Sequence, residues 1–217
     1  MERIGVLGTG MVGTALASRL VELGYEVKMG SRTSANERAA QWVAGSGAKA
    51  SHGTFPEAAA FGEAVFLCVK GDAALDTVGI ANRENLEGKT VIDITNPLDS
   101  SRTMPPTLFV CNTDSLGERL QVALPASRVV KTLNMVTSDV QVDPKRAGGD
   151  VTMFVAGNHP PAKEETILLL RQFGWQDIID LGDISAARGM EMLLPIWLRI
   201  FATFGRGNFG FKVVRPA

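Results

Sequence analysis

The chain has 217 residues, of which 45% are hydrophobic and 21% are charged, so it can bury the core of one domain and an appendage. Its 22 basic and 23 acidic side chains give a net charge of −1, which argues against binding to nucleic acid or to an anionic membrane. The first apolar run begins at residue 3, and the longest, residues 192–204, is too short to cross a bilayer. We therefore expect a cytoplasmic protein without a signal peptide and without nucleic-acid or membrane partners.

The chain opens with a strand, a glycine-rich turn and a helix. The apolar run Arg3–Leu7 leads directly into Gly8-Thr9-Gly10-Met11-Val12-Gly13, and residues 14–24 are rich in Ala and Leu. In this arrangement the first glycine makes the turn, the second lets backbone N–H groups approach a pyrophosphate, and the third lets the helix pack on the strand. The pyrophosphate then lies at the positive end of the helix. A glycine triplet between a strand and a helix predicts a dinucleotide site.

The second strand, predicted over residues 25–29, bears on which dinucleotide is bound. In this architecture its end faces the adenine ribose, where a carboxylate favours NAD and a basic residue accommodates the 2′-phosphate of NADP. Here Ser31 can donate to a phosphate oxygen and Arg32 carries a permanent, planar positive charge, so NADP is predicted. Arg38, about two helical turns further on, would lean over the same site. The alternative is that Ser31 caps the next helix and Arg32 is a solvated residue of its first turn.

Strands and helices alternate over the rest of the chain up to about residue 182. Further strands are predicted over residues 48–50, 64–69, 90–94, 128–133, 152–156 and 176–181. Helices are predicted over residues 34–44, 56–61, 73–81, 115–124 and 162–173, with Thr54 capping the second and a Ser115–Glu118 capping box on the fourth. Residues 99–113 and 140–150 are predicted to be loops. The alternation indicates an α/β fold with a doubly wound, mostly parallel sheet.

The character of the chain changes after residue 182, which divides it into a predicted Rossmann domain (1–182) and a C-terminal helical segment (183–217). A long helix from Ser185 towards Phe204 is apolar nearly all round, so it must be buried on the Rossmann domain, on a second subunit, or on both. After residue 185 the basic residues outnumber the single acid, Glu191; they are Arg188, Arg199, Arg206, Lys212 and Arg215. They form either a basic surface or a receiver for an anionic substrate.

Side chains that do chemistry without a cofactor are scarce. Cys68 and Cys111, with His52 and His159, match no standard metal-ligand spacing, and no catalytic triad can be assembled. We predict no metal site and no catalytic side chain, so that any chemistry is carried by cofactors. Cys68 lies in an apolar run and is expected to be a small core residue in a reducing cytosol.

Several motifs occur together in one order along the chain. They are the glycine turn at 8–13, Gly30-Ser31-Arg32, Asp93-Ile94-Thr95-Asn96-Pro97-Leu98, Val130-Lys131-Thr132-Leu133-Asn134, Met153-Phe154-Val155-Ala156-Gly157 and the segment from Asp180 to Arg188. In combination they resemble the NADPH-dependent coenzyme F420 reductase (F420H2:NADP oxidoreductase) family, to which the reductase domain of the six-transmembrane metalloreductases is related. The resemblance covers nearly the whole chain.

The resemblance implies a Rossmann domain on NADP(H), a small helical C-terminal part and a homodimer. It also implies hydride transfer between nicotinamide C4 and C5 of a deazaflavin, coenzyme F420. By position, the implied contacts are Thr9, Gly10, Met11 and Val12 at the pyrophosphate, Ser31 and Arg32 at the 2′-phosphate, Val69 and Lys70 beside the adenosine or ribose, and Asn96, Pro97 and Asn134 at the nicotinamide end.

Two departures from the family pattern leave the second substrate open. Asn36 stands where family members often carry another basic residue, and residues 133–136 resemble the metalloreductase version more than the deazaflavin one. The second substrate is therefore coenzyme F420, a flavin (FMN or FAD) or a small acceptor, the last two making the protein a flavin or ferric reductase. Asn96-Pro97 and Asn134 are alternatively plain turn residues.

Two other functions are alternatives to hydride transfer to a deazaflavin or flavin. Reductases of imines or of 2-hydroxy acids carry a long helical substrate domain after the sheet, and the segment after residue 182 is too short to supply one. A non-catalytic NADPH-sensing module is compatible with the lack of catalytic side chains. No DNA-binding helix pair or basic arm supports that module.

Overall fold

The computed structural model describes residues 1–101 and 104–216. Ten strands are present in that part of the chain: β1 (Arg3–Leu7), β2 (Glu26–Ser31), β3 (Ala50–Thr54), β4 (Ala64–Leu67), β5 (Thr90–Asp93), β6 (Leu98–Asp99), β7 (Thr107–Leu108), β8 (Arg128–Thr132), β9 (Thr152–Gly157) and β10 (Asp177–Asp180). Its α-helices are α1 (Met11–Glu22), α2 (Glu37–Ser46), α3 (Phe55–Phe61), α4 (Ala74–Ile80), α5 (Leu116–Ala123), α6 (Ser138–Val142), α7 (Pro160–Phe173), α8 (Ala187–Met192) and α9 (Leu194–Phe204).

Eight of these strands form one sheet in the order β10-β9-β8-β5-β4-β1-β2-β3. The pairs from β3 to β8 are all parallel, β9 runs antiparallel to β8, and β10 is parallel to β9. The predicted doubly wound, mostly parallel Rossmann sheet is confirmed. Because β1, β2, β4, β5 and β8 end at the same edge, the residues that follow them lie close together there.

The sheet is covered on both faces. Successive residues of β4 enter opposite cores: Phe66 packs in the cluster that contains Leu16 and Leu20 of α1, whereas Val65 and Leu67 pack in the cluster on the other face. This alternation follows from the two-residue period of a strand. Burial on both sides explains why the inner strands read as continuous apolar runs rather than as alternating ones.

The boundaries of β3 and α2 lie two to four residues later than predicted. Helix α2 is capped by Asn36, whose Oδ1 accepts from the N–H of Ala39 at 3.0 Å, so Ser31 does not cap it. Strand β3 begins at Ala50 because residues 48–49 belong to the turn after α2. Thr54 caps α3 as predicted, in a reciprocal capping box with Glu57.

The capping box predicted at Ser115 is only half formed. Ser115 Oγ accepts from the N–H of Glu118 at 3.1 Å, but the N–H of Ser115 donates to Asp114 Oδ1 at 2.8 Å. The Glu118 carboxylate instead receives Arg188 Nε at 2.8 Å. Hydrogen bonding from Arg188 holds the pKa of Glu118 below its ordinary value. Glu118, which the sequence pattern assigns to the helix cap, therefore contacts the C-terminal segment.

Both predicted loops contain short regular elements. Of the predicted loop 99–113, residues 102–103 lie outside the described part of the chain; the rest contains β7 and the end of β6, whose Leu98 is paired with Leu108. Residues 140–150 include the end of α6 and a 3₁₀ turn at Pro144–Ala147. The loop predictions were wrong because two-residue strands and a one-turn helix are too short to show periodicity in the sequence.

The single long C-terminal helix was also a wrong prediction. The chain forms a 3₁₀ turn at Ile184–Ala186, then α8, and a new helix α9 whose first turn contains Pro195. Proline lacks an N–H and clashes with the carbonyl four residues earlier, so the helix cannot run through it. Along α9, Leu194 and Trp197 are buried, but Phe204 is 61% exposed. Among the residues described, no helix is both long and apolar enough to cross a membrane.

Candidate cofactor site

The glycine turn after β1 is built from three glycines with different roles. Gly8 has φ +132°, and a Cβ there would lie 2.2 Å from the carbonyl oxygen of Cys68. A Cβ on Gly13 would lie 2.2 Å from the carbonyl oxygen of Gly8. A Cβ on Gly10 would meet no atom within 4 Å. Gly8 and Gly13 thus allow the turn to pack, whereas Gly10 keeps the space in front of it clear.

Helix α1 begins at this turn with its amino end uncapped. Gly10 is the N-cap residue and supplies no side-chain cap, and the first turn holds no acidic residue. The first N–H groups of a helix lack partners within the helix and carry its positive end. With the clear space in front of Gly10, this geometry fits an anionic group such as a pyrophosphate.

A cleft of about 760 Å³ lies between the glycine turn and the end of β2. We call it the β2 cleft; its walls include Gly8, Thr9, Gly10, Ser31, Arg32, Thr33, Asn36, Val69, Lys70, Asp72 and Asp76. Ser31 is buried and donates its hydroxyl to the carbonyl of Thr33, whereas Arg32 is exposed. Among the described residues no salt bridge involves Arg32. Its charge is available to a ligand in this cleft.

Arg38 does not line the β2 cleft. It lies on α2 at a separate groove beside Thr9 and Met11, facing Ser138 and Asp139 of α6. The residue predicted to assist Arg32 is therefore directed to the other side of the glycine turn.

A second cleft of about 730 Å³ lies on the far side of the turn, at the ends of β5 and β8. We call it the β8 cleft; its walls include Gly10, Met11, Val12, Val69, Lys70, Thr95, Asn96, Leu98, Asp99, Ser101, Phe109, Asn134, Val136 and Gln141. Both clefts share Gly10, Val69 and Lys70. They meet at the amino end of α1, so one extended ligand can occupy both.

Asn96 and Asn134 join the ends of β5 and β8 at the wall of the β8 cleft. Asn96 Nδ2 donates to the carbonyl of Asn134 at 2.7 Å, and Asn134 Nδ2 donates to Asn96 Oδ1 and to the carbonyl of Met190, both at 3.0 Å. Asn134 Oδ1 is buried and has no partner among the described residues. The third contact ties this end of the cleft to α8.

Gln141 completes this wall and Leu133 lies behind it; the sequence analysis did not single out either as a site residue. Leu133 has φ +58°, a left-handed conformation that is strained for a residue with a branched side chain. Gln141 Nε2 donates to the carbonyl of Leu133 at 2.9 Å and helps to hold it there. Gln141 is itself fixed, because Trp175 Nε1 donates to its carbonyl at 3.0 Å.

A buried ion cluster lies behind Thr95 and Asn96. Lys131 Nζ contacts Asp93 Oδ2 and Glu191 Oε1, each at 2.9 Å, and donates to the carbonyl of Thr95 at 2.6 Å. Burial alone lowers the pKa of Lys131, but the two carboxylates outweigh it and raise that pKa above its ordinary value. The ammonium is therefore charged and uses all three of its donors.

Both carboxylates of this cluster are also bonded to backbone. Glu191 accepts the N–H groups of Leu116 at 2.9 Å and Gly117 at 3.0 Å, at the amino end of α5. Asp93 Oδ1 accepts the N–H and the hydroxyl of Thr95. The cluster thus joins β5, β8, α5 and α8. Its sequence signal was a lysine inside the buried run of β8, since a fully buried lysine needs a charged partner.

Two predicted site residues, Pro97 and Gly13, lie behind the cleft walls, whereas Cys68 lines both clefts. Pro97 is buried, and its carbonyl accepts from the N–H of Phe109 at 2.9 Å, so it supports the β6–β7 hairpin. Gly13 is buried beneath the turn. Cys68 is a buried core residue, as predicted, and burial together with the charge of Asp93 raises the pKa of its thiol. No group of three metal-ligating side chains occurs in the part of the chain that the structure describes.

Comparison with known proteins relates this geometry to a family. The family model for coenzyme F420-dependent NADP oxidoreductase matches residues 3–97. A crystal structure of a candidate F420-dependent NADP-reductase from Arthrobacter sp. FB24 is 45% identical, covers 99% of this chain and 100% of that one, and has a TM-score of 0.94. The F420-dependent NADP reductase of Methanothermobacter marburgensis is 29% identical over 97% of both chains.

The same comparison finds a metalloreductase among the relatives. Metalloreductase STEAP3 of Rattus norvegicus is 28% identical over 99% of this chain, which spans 43% of that protein's length. The predicted resemblance is therefore confirmed in both of its branches. The chain belongs to the family of coenzyme F420-dependent NADP oxidoreductases.

Proposed function

We propose that this NADP-dependent oxidoreductase exchanges a hydride between NADP(H) and a deazaflavin of the coenzyme F420 type. The observation that carries the proposal is the continuity of the two clefts at Gly10. One cleft presents the exposed guanidinium of Arg32, and the other ends at the amides of Asn96 and Asn134. A dinucleotide laid across the uncapped end of α1 would reach both.

The proposed contacts at the phosphate end follow from charge. Thr9, Gly10, Met11 and Val12 offer backbone to the pyrophosphate, where the clear space at Gly10 favours close approach. Ser31 and Arg32 would hold the 2′-phosphate, with Arg32 supplying the charge. Val69 and Lys70, shared by both clefts, would lie beside the adenosine or ribose.

At the other end the protein would hold two rings rather than act on them. The nicotinamide, when bound, gives up or receives the hydride. Asn96 and Asn134 would orient it, and Pro97 would support them from behind through the hairpin. Met11, Phe109 and Val136 provide apolar wall against which a second flat ring can stack and from which water is excluded. This division of labour needs no catalytic side chain from the protein.

A flavin or ferric reductase is the second candidate. The observation in its favour is the similarity to STEAP3 across nearly the whole chain, together with the metalloreductase-like sequence at residues 133–136. In that case the β8 cleft would receive FMN or FAD instead of a deazaflavin.

The test follows NADPH absorbance with purified protein in parallel reactions containing coenzyme F420, FMN, FAD or a ferric chelate. Rapid oxidation with coenzyme F420 alone is the expected result. Oxidation with a flavin or with iron, and not with F420, would replace the proposal by the second candidate. Tight NADPH binding without turnover in any reaction would indicate a sensing module and overturn both.

We also propose that residues 183–217 serve as the substrate side and as the contact of a homodimer. Ile196, Phe201 and Phe204 of α9 are exposed large apolar side chains on one short helix, which supports a covered face in the dimer. Light scattering that gives the mass of one chain would contradict this.

Two cysteines without a disulfide support a reducing, cytoplasmic location.

A further inference from the structure

Two amide oxygens in the wall of the β8 cleft have no partner. Asn134 and Gln141 are each 3% exposed, and the NH₂ groups of both are engaged, to Asn96 and Met190 and to Leu133 respectively. Asn134 Oδ1 and Gln141 Oε1 are buried and unpaired within the described residues. Buried polar atoms are nearly always hydrogen-bonded, so each such exception calls for an explanation.

The two side chains are linked through the peptide group between Leu133 and Asn134. Gln141 bonds to the carbonyl of Leu133, which is joined directly to the nitrogen of Asn134. The left-handed conformation of Leu133 is held by this bond and by the contacts of Asn134. Strain of this kind persists only where surrounding contacts impose it, and it concentrates at ligand sites. A fixed, strained peptide thus carries two unpaired acceptors to one cleft wall.

We propose that Gln141 and Asn134 together accept the two N–H groups of the nicotinamide carboxamide, which makes Gln141 a positioning residue for the ring. The proposal rests on the proposed binding of NADP(H). Two neutral acceptors repel a phosphate or a carboxylate but match a neutral NH₂ group with two donors. At the nicotinamide end of NADP(H), the carboxamide is the group with that pattern.

The proposal requires each amide oxygen to turn out of the cleft wall about the last torsion of its side chain. Both are covered by the cleft wall, and the last torsion of a glutamine or asparagine side chain is soft and broad. Pairing both N–H groups fixes the plane of the carboxamide and, with it, the face of the ring that points toward the second substrate. The role of Gln141 is therefore to orient the ring and not to take part in the chemical step.

The test measures equilibrium binding by calorimetry with three probes: NADP⁺, its 3-acetylpyridine analogue, in which a methyl replaces the amide NH₂, and 2′-phospho-ADP-ribose, which lacks the ring. The variant is Gln141→Met. The matched control is Gln121→Met, because Gln121 Nε2 bonds to the carbonyls of Leu124 and Ser127, both remote from the clefts.

The wild type should bind NADP⁺ about tenfold more tightly than the acetylpyridine analogue, the effect of lost hydrogen bonds. In Gln141→Met this ratio should fall to about threefold or less, through weaker NADP⁺ binding, while 2′-phospho-ADP-ribose binds as before. Gln121→Met should keep the wild-type ratio.

Three results would overturn the assignment. Equal weakening of all three probes by Gln141→Met would show that Gln141 only supports the fold. No discrimination by the wild type, with NADP⁺ and 2′-phospho-ADP-ribose both bound, would reject the assignment and leave NADP(H) binding intact. Failure of the wild type to bind any probe would remove the proposed function and this inference with it.

Discussion

The two clefts beside the glycine turn are built in opposite ways. In the β2 cleft one of the charged residues, Arg32, is exposed and forms no salt bridge among the described residues. In the β8 cleft Asn96 and Asn134 are bonded to each other and to α8, and they rest on the buried cluster of Lys131. The first region recognises charge with a side chain that adapts to its ligand. The second offers amide side chains whose NH₂ groups are anchored by contacts from distant parts of the chain.

On the proposed function, this difference assigns cofactor affinity to the β2 cleft and alignment of the nicotinamide ring to the β8 cleft. A phosphate can be held by an exposed guanidinium, because the long side chain can bring its planar fork of donors to the phosphate oxygens. A ring that must meet a second ring for hydride transfer requires orientation, and orientation requires supports that do not move. Changes in the β8 region should therefore affect stability and geometry, and changes in the β2 region should affect cofactor choice.

The largest expected effect is on the buried support of the β8 cleft. Lys131→Met should lower the free energy of unfolding by about 3–5 kcal/mol, because it leaves two carboxylates buried without a cation. Urea unfolding measures this. As a control, Arg119→Met, which removes the exposed pair with Asp114, should cost less than about 1 kcal/mol. Similar losses in both variants would show that the buried cluster is not a special support.

The next effect is on cofactor choice in the β2 cleft. Arg32→Ala should raise the KM for NADPH roughly ten- to hundredfold, or about 1.5–3 kcal/mol, by removing the charge opposite the 2′-phosphate. The KM for NADH should change little. Arg38→Ala serves as the comparison, because Arg38 lines a different groove. Equal effects of Arg32→Ala on both cofactors would refute the assignment.

A smaller effect is expected at the glycine turn that joins the clefts, where substitutions of Gly10 and Gly13 should have different consequences. Gly10→Ala should weaken NADPH binding about tenfold, or about 1.4 kcal/mol, and change the unfolding free energy by less than about 1 kcal/mol, since no protein atom opposes its Cβ. Gly13→Ala should instead lower the melting temperature, because its Cβ meets the carbonyl of Gly8. Calorimetric binding and thermal unfolding of both variants check this. Loss of stability at Gly10 would contradict it.

The smallest effect lies at the tail beyond the β8 cleft. Hydrogen bonds from Lys212 and Thr152 lower the pKa of Asp177 from its ordinary 3.8 to about 2. A lowered folded-state pKa means that the stabilisation is present above pH 3.8 and is lost as the pH falls towards 2. Asp177→Asn should therefore lower the free energy of unfolding near neutrality and flatten its dependence on pH in this acid range, so that variant and wild type converge as the pH falls towards 2. If the variant loses stability in acid as steeply as the wild type, groups other than Asp177 are responsible for that loss.

Sequence reasoning succeeded where the signal was local. The strand, glycine turn and helix at residues 3–22 are contiguous, and the Ser31-Arg32 pair follows its strand directly, so periodicity and spacing were sufficient. The cluster of Asp93, Lys131 and Glu191 draws on three separate segments and becomes visible only with the register of β5 and β8. The break before α9 had a local signal in Pro195, but the apolar run on both sides of it concealed the boundary.

The reversal of β9 and β10 has a practical consequence for handling the protein. Because these strands run against their neighbours, they begin at the edge where β8 ends, and the tail returns there: Phe211 accepts from the N–H of Thr152, and Arg215 pairs with Asp177. Met1 lies at the opposite edge, near Glu63. A tether or fusion at the amino terminus would leave both clefts open, whereas one placed after Arg215 would lie on the same edge of the sheet as the β8 cleft. Immobilisation for cofactor recycling should therefore use the amino end.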